Sequence, residues 1–170
     1  MALVFGYAAG LDMTRRDLQA AAKARQRPWD LAKDFEDSAV LAPITPAGNF
    51  GVIGDQRITL SVNGAPRQEA RLSDMVWSIP ELIADLSRYY HLQPGDLIFT
   101  GTPGGVGAKR NPPLWMKPGD VAEVEIPLPG AVGVVAETHR PVGDRRGVGD
   151  RVPDDGLERR ILTAVTEVGP

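Results

Sequence analysis

The chain has 170 residues, a formal net charge of −3 and no cysteine. Its length is that of one domain, and the lack of cysteine excludes disulfides, a thiolate nucleophile and cysteine-ligated zinc. The acidic balance argues against a nucleic-acid partner, which needs a basic face. No apolar run reaches the ~18 residues of a membrane span and no signal-peptide pattern is found, so we expect a cytoplasmic protein without a membrane partner.

The first third of the chain predicts a strand followed by a helix. An apolar run over residues 1–11 indicates a buried strand, and a helix is expected over 14–23 with Thr14 as its cap. Residues 39–44 predict a second strand, and 45–57 predict a loop with several turns.

The middle of the chain predicts a hairpin and a longer helix. Residues 58–62 alternate between apolar and polar, Asn63-Gly64 is a strong hairpin signal, and 67–72 form the return strand. One apolar stripe runs along residues 74–90, which predicts a helix. Pro80 should kink this helix or mark its true start.

The last part predicts a short strand over 97–100, a glycine-rich loop over 101–107 and a second hairpin over 121–126 and 131–138. From residue 141 the sequence is polar, so 141–170 is expected to be a mobile tail. The predicted fold class is β-rich α+β with two short helices. A Rossmann-type parallel sheet is not expected, because helices and strands do not alternate.

The glycine-rich loop invites comparison with a phosphate-binding loop. In such a loop Ser or Thr follows the lysine, whereas here Arg110 follows Lys109. The nucleotide interpretation therefore fails. The loop still presents backbone N–H groups that suit an anionic ligand, and the alternative is an ordinary tight turn.

Asp12 ends the first predicted strand, with Arg16 and Gln19 at helical spacing beyond it. A carboxylate at the end of an apolar strand is costly unless it is paired or binds a metal. The group is typical of a hard-cation ligand beside an anion clamp. The alternative is that Asp12 caps the helix and pairs with Arg16. Considered alone, Lys33 is interpreted as a surface lysine.

Glu123 and Glu125 lie on one face of a predicted strand. They could bind Mg²⁺, or they could form the solvated face of an amphipathic strand. His91 and His139 lie far apart near turns, and neither has a nucleophile beside it in sequence. Both are interpreted as surface residues.

Taken together, these segments resemble the C-terminal catalytic domain of the fumarylacetoacetate hydrolase family. The similarity covers roughly residues 5–138 and looks closest to the branch of acylpyruvate hydrolases, fumarylpyruvate hydrolases and oxaloacetate decarboxylases. The stretches that support it are GYAAGLDMTRRDLQ (6–19), RPWDLAKDFEDSAVLAPI (27–44), the run over 60–87, LQPGDLIFTGTPGGVG (92–107) and GDVAEVEI (119–126).

The resemblance implies a β-sandwich roll of mixed sheets over residues 1–140, assembled as a homodimer. It also implies one Mg²⁺ or Mn²⁺ ion and a small diketo- or keto-acid substrate. The implied reaction is hydrolysis of a C–C bond in an acylpyruvate such as fumarylpyruvate, in aromatic catabolism, or decarboxylation of oxaloacetate. The metal would act as the Lewis acid that stabilises an enolate.

Matching positions imply a role for each residue of the motif. Asp12 would be a metal ligand. Arg16, Gln19 and Lys33 would face the substrate, with Lys33 and Gln19 as catalytic residues. Thr100 would contact the substrate carboxylate.

The chain also departs from the family pattern. In the family, an E-x-E pair of metal ligands and a His–Glu pair that activates water lie upstream of the stretch that contains Asp12, and no residue precedes Met1 to supply them. We therefore expect a truncated family member with reduced activity. The alternatives are a non-catalytic binding or assembly subunit, an inert fragment, or an isomerase of a diketo acid.

Overall fold

The computed structural model describes residues 3–127, 134–137 and 161–165, which contain nine strands and four α-helices. The strands are β1 (Val4–Asp12), β2 (Ala39–Leu41), β3 (Thr45–Pro46), β4 (Arg57–Val62), β5 (Ala65–Arg71), β6 (Leu97–Phe99), β7 (Ala122–Ile126), β8 (Val134–Glu137) and β9 (Ile161–Val165). The helices are α1 (Arg16–Ala24), α2 (Asp30–Lys33), α3 (Ala47–Phe50) and α4 (Ile79–Leu86), with 3₁₀ turns at Leu72–Asp74 and Gly107–Lys109.

Two sheets pack against each other. The first has the strand order β2-β1-β9-β6, with β3 also paired to β1, and the second has the order β5-β4-β7-β8. The first sheet is mixed, because β1, β9 and β6 run parallel while β2 and β3 run antiparallel to β1. Strand β1 also packs on β7 and β8 of the second sheet. This architecture confirms the predicted β-rich α+β class.

The strand β9 is the main difference from the sequence prediction. The sequence predicts a mobile tail over residues 141–170, but Ile161–Val165 pairs with both β1 and β6. The segment ILTAV is rich in β-branched residues, which favour a strand. Its partners lie far away in sequence, so no local signal identifies them. Residues 138–160 and 166–170 lie outside the described part, and the predicted domain division at residue 140 stays a prediction.

The predicted hairpins are present. Asn63 and Gly64 connect β4 to β5 with φ angles of 51° and 73°, the positive values that a type I′ turn requires. Strand β7 pairs with β4 on one side and with β8 on the other. Within β7, Glu123 and Glu125 alternate with buried residues, so they share the outer face, as the solvated-strand interpretation predicted.

The core lies between the two sheets. Its largest fully buried apolar side chains come from β1, β4, β7 and the 3₁₀ turn after β5, and they are Leu11, Ile58, Leu72, Val124 and Ile126. No helix in the described part is long and apolar enough to cross a membrane.

The helices are shorter than predicted. Helix α4 begins at Ile79, so Pro80 lies in its first turn. Of the two predictions for Pro80, a kink or the start of the helix, the second is confirmed. A capping box between Ser78 and Glu81 fixes that start. The cap position of α1 is one residue later than the predicted Thr14. The cap position is Arg15, which makes no side-chain capping bond, and Thr14 is fully buried.

Candidate active site

The end of β1 brings together two residues that are 21 positions apart in sequence. The Lys33 ammonium nitrogen lies 2.8 Å from a carboxylate oxygen of Asp12 and donates a hydrogen bond to it. The side chains are 28% and 31% exposed, so a small molecule can reach the pair. The alternative in which Asp12 caps the helix and pairs with Arg16 is wrong, because Asp12 pairs with Lys33.

Helix α1 starts four residues beyond Asp12 and contributes a second polar pair. Arg16 Nη1 donates a 2.9 Å hydrogen bond to Gln19 Oε1, one turn further along the helix. The backbone N–H of Arg15 donates to the carbonyl of Ala32 at 3.0 Å, which ties α1 to the short helix that ends at Lys33. The two pairs therefore belong to one neighbourhood at the end of β1.

Thr100 lies at the same edge of the first sheet, in a different setting. The parallel pairing of β1, β9 and β6 places Thr100 level with Ala9, three residues before Asp12, so the two residues are about 14 Å apart across β9. Thr100 lines a cavity of about 430 Å³ together with Met75 and Trp77. The ring of Phe99 reaches within 3.1 Å of where a Cβ on Gly10 would lie.

The chemistry of this edge is that of an anion site next to a carboxylate. Lys33 and Arg16 supply cationic donors and Gln19 supplies an amide, whereas Thr100 lines the separate cavity with Met75 and Trp77. A bound carboxylate at this edge would accept hydrogen bonds from the cationic groups of Lys33 and Arg16. Charge-assisted hydrogen bonds of this type are short and about twice as strong as neutral ones.

A divalent metal fits this edge only in part. Asp12 offers a carboxylate oxygen of the kind that Mg²⁺ and Mn²⁺ bind. However, within the part of the chain that the structure describes, no group of three His, Asp or Glu side chains could hold an ion. The described residues thus offer one candidate ligand, Asp12, and do not form a complete metal centre.

The other sequence candidates lie elsewhere. His91 is exposed, in agreement with its interpretation as a surface residue, and His139 lies outside the described residues. Glu123 accepts a 3.0 Å hydrogen bond from Ser61 on the neighbouring strand.

A second cationic cluster, which the sequence analysis missed, lies at the glycine-rich loop. Arg110 donates hydrogen bonds to the carbonyls of Arg67 at 2.5 Å and Gly105 at 3.2 Å. The available cue in the sequence was Arg110 itself, whose place after Lys109 rules out a phosphate-binding loop.

The fold and this edge define a class: a β-rich α+β domain that presents cationic and amide side chains beside a carboxylate at the end of a central strand. The chain belongs to the fumarylacetoacetate hydrolase family, because the family model described as "Fumarylacetoacetate (FAA) hydrolase C-terminal" matches residues 1–138.

Individual relatives agree with that assignment. Over 107 residues the chain is 56% identical to the fumarylpyruvate hydrolase of Ralstonia sp, covering 62% of this chain and 55% of that protein. Over 110 residues it is 44% identical to the mitochondrial oxaloacetate tautomerase FAHD1 of Rattus norvegicus, covering 65% of this chain and 50% of that protein. The chain thus spans about half the length of these relatives.

A solved structure extends the similarity to the fold. The crystal structure of fumarylpyruvate hydrolase from Pseudomonas aeruginosa, in complex with Mn²⁺ and pyruvate, superposes with a TM-score of 0.66 at 37% identity. The match covers 79% of this chain and 53% of that chain.

Proposed function

We propose that this chain forms the keto-acid side of an enzyme that hydrolyses a C–C bond in an acylpyruvate such as fumarylpyruvate. The observation that supports the proposal best is the Asp12–Lys33 contact at 2.8 Å, with Arg16 and Gln19 on the adjoining helix. The relative named fumarylpyruvate hydrolase, at 56% identity, points to the same substrate class.

The proposed reaction needs positive charge at one end of the substrate. Water adds to the acyl carbonyl, the C–C bond breaks, and its electron pair moves to the pyruvyl fragment as an enolate. The enolate takes a proton to give pyruvate, and the acyl fragment leaves as a carboxylate. Lys33 and Arg16 stabilise the charge that develops, while Gln19 and Thr100 orient the carboxylate.

A divalent cation is part of the proposal, with Asp12 as one of its ligands. The support is the carboxylate at the strand end, and the related hydrolase structure that contains Mn²⁺. The remaining ligands are not among the described side chains. A homodimeric assembly likewise stays a prediction.

Keto–enol interconversion of oxaloacetate is the second candidate function. It is favoured by the relative named oxaloacetate tautomerase, which is 44% identical over 110 residues. The reaction requires stabilisation of an enolate but no attack by water, so the same cationic residues suit it. This second candidate is a form of the isomerase alternative in which the substrate is defined as oxaloacetate.

The test is turnover of both substrates by the same preparation with Mn²⁺ present. Fumarylpyruvate loss and oxaloacetate tautomerisation are each followed by ultraviolet absorbance, for the wild type, Lys33→Met and Lys23→Met. Lys23 is exposed in the last turn of α1 and serves as the matched control for loss of one lysine charge.

We expect weak fumarylpyruvate hydrolysis that falls about 100-fold in Lys33→Met, the typical effect of removing one donor that stabilises transition-state charge. Lys23→Met should match the wild type. Tautomerisation alone would favour the second candidate. Equal rates for the two lysine variants would overturn the assignment of Lys33.

A further inference from the structure

A second cavity, of about 180 Å³, lies between the β4–β5 hairpin and the loop that follows β6. Three cationic side chains and one carboxylate line it, namely Arg67, Arg110, Lys117 and Asp120. The opposite part of its wall is apolar and includes Leu114, Trp115 and Met116. Neither Asp12 nor Thr100 contributes to this wall, so the cavity is separate from the candidate active site.

Arg67 reaches the cavity because β5 contains a bulge. Leu60 of β4 pairs with Gln68, and Ser61 pairs with Pro66, which leaves Arg67 as the extra residue between them. A bulge of this kind redirects a side chain and removes its residue from the ladder of the sheet. The carbonyl of Arg67 is consequently available to Arg110, which donates to it.

The guanidinium of Arg67 retains hydrogen-bonding capacity. Its Nε atom is buried and has no hydrogen-bond partner in the described part of the chain. A buried donor without a partner costs about 1–3 kcal/mol, so a shift of the Arg67 side chain that brings this donor to a ligand in the cavity is favoured. No salt bridge to a described residue engages Arg67, Arg110 or Lys117.

The glycine-rich loop is held tightly against this bulge. Gln68 is buried and donates a 2.8 Å hydrogen bond to the carbonyl of Pro103. Gly105 approaches so closely that a Cβ there would lie 2.5 Å from the carbonyl oxygen of Arg67. Arg110 also connects the loop to the bulge, because it donates hydrogen bonds to the carbonyls of both Gly105 and Arg67. The cavity wall is therefore built by specific contacts between two distant segments.

Asp120, the single carboxylate of the cavity wall, already accepts hydrogen bonds from neighbouring residues. Asp120 accepts hydrogen bonds from the backbone N–H of Lys117 at 2.7 Å and from the Asn63 amide at 2.8 Å. These bonds, with the charges of Lys117 and Arg67, hold the pKa of Asp120 below its ordinary value. The formal balance of the wall remains positive, with three cations to one anion.

We propose that this cavity is a binding site for a small organic carboxylate with one apolar arm, such as an aromatic carboxylate. The carboxylate would accept from Arg67 and Lys117, and the arm would pack on Trp115 and Leu114. The positive charge selects the anion, and the apolar wall excludes a fully hydrated inorganic ion. The size of the cavity limits the ligand to about one aromatic ring, because pockets for drug-sized ligands begin near ~300 Å³.

Benzoate is the probe, and its binding can be located through the three tryptophans of the chain. Trp115 lines this cavity, Trp77 lines the cavity with Thr100, and Trp29 precedes α2. Titration is followed by the indole N–H signals in ¹H–¹⁵N spectra of the wild type. Benzamide, which is neutral, and acetate, which lacks the ring, are the matched ligands.

We expect benzoate to shift the Trp115 signal and to bind at least about tenfold more tightly than benzamide or acetate, the scale of one charge-assisted hydrogen bond. Arg67→Met should weaken benzoate binding by a similar factor. Arg88→Gln, which removes an exposed arginine just after α4 that does not line this cavity, should leave it unchanged. Equal binding of benzoate and benzamide, or shifts confined to Trp77 or Trp29, would overturn the proposal. Neither result depends on turnover at the active site.

Discussion

Three glycines of the loop after β6 should respond differently to the same substitution by alanine. Gly101 and Gly105 have φ angles of 107° and 103°, which alanine adopts only with strain, whereas Gly104 does not have such an angle. A Cβ on Gly101 or Gly104 would meet nothing within 4 Å, but on Gly105 it would overlap the carbonyl oxygen of Arg67. The three variants therefore separate backbone strain from steric overlap.

Backbone strain of this kind costs about 1–3 kcal/mol of unfolding free energy. Overpacking against a fixed backbone atom adds a further ~1–3 kcal/mol. We therefore expect Gly101→Ala to lose about 1–3 kcal/mol and Gly105→Ala about 2–6 kcal/mol. Gly104→Ala should be neutral, or more stable by up to ~1 kcal/mol, because alanine reduces the entropy of the unfolded chain.

Urea denaturation followed by circular dichroism measures all three differences on one scale. Equal losses for Gly105→Ala and Gly101→Ala would refute the close approach of the loop to the bulge at Arg67. A loss in Gly104→Ala as large as the others would show that the loop tolerates no side chain anywhere, and the specific argument would fail.

Four other substitutions, of which one is a control, test the fold and its pH dependence. Hydrogen bonds from the hydroxyl and the backbone N–H of Ser78 lower the pKa of Glu81 below 4.5. The ionised carboxylate therefore stabilises the folded state above pH 4.5, and this contribution is lost as the pH falls through the lowered pKa. Glu81→Gln should consequently flatten the decline of melting temperature on acidification. Leu11→Ala should cost about 2–5 kcal/mol in urea denaturation, because Leu11 is fully buried, whereas Leu31→Ala, at a side chain that is 78% exposed, should change stability by less than ~0.5 kcal/mol. Gln68→Ala should cost about 1–3 kcal/mol by removing the buried bond to the Pro103 carbonyl, and a neutral result would contradict the role given to that bond.

Local signals in the sequence were sufficient for much of the fold. The apolar run of β1, the Asn63-Gly64 turn and the proline at the start of α4 each depend on residues within a few positions of one another. The predicted cap position of α1 was wrong by one residue, because the helix is capped at Arg15 and Thr14 lies buried before it. β9 could not be predicted because it pairs with strands that are distant in sequence.

In the candidate site, too, only the contacts between residues close in sequence could be predicted from the sequence pattern. Arg16 and Gln19 are neighbours on one helix, and their spacing alone predicted that they share a face. Spacing could not pair Lys33 with Asp12, because the contact depends on how α2 folds back onto β1. The family resemblance supplied that residue. Arg67 was missed because a bulge, which has no clear local signal here, redirects it.

The central claim is that Asp12 and its neighbours form a site for a cation and a keto-acid anion. Calorimetric titration of the wild type with oxalate, a mimic of the pyruvate enolate, in the presence of Mn²⁺ tests it most directly, with Asp12→Asn and Asp17→Asn in parallel. Asp17 is exposed in the first turn of α1 and is the matched control. The account predicts Mn²⁺-dependent oxalate binding that is lost in Asp12→Asn and kept in Asp17→Asn. Binding that is unchanged in Asp12→Asn, or absent from the wild type, would contradict it.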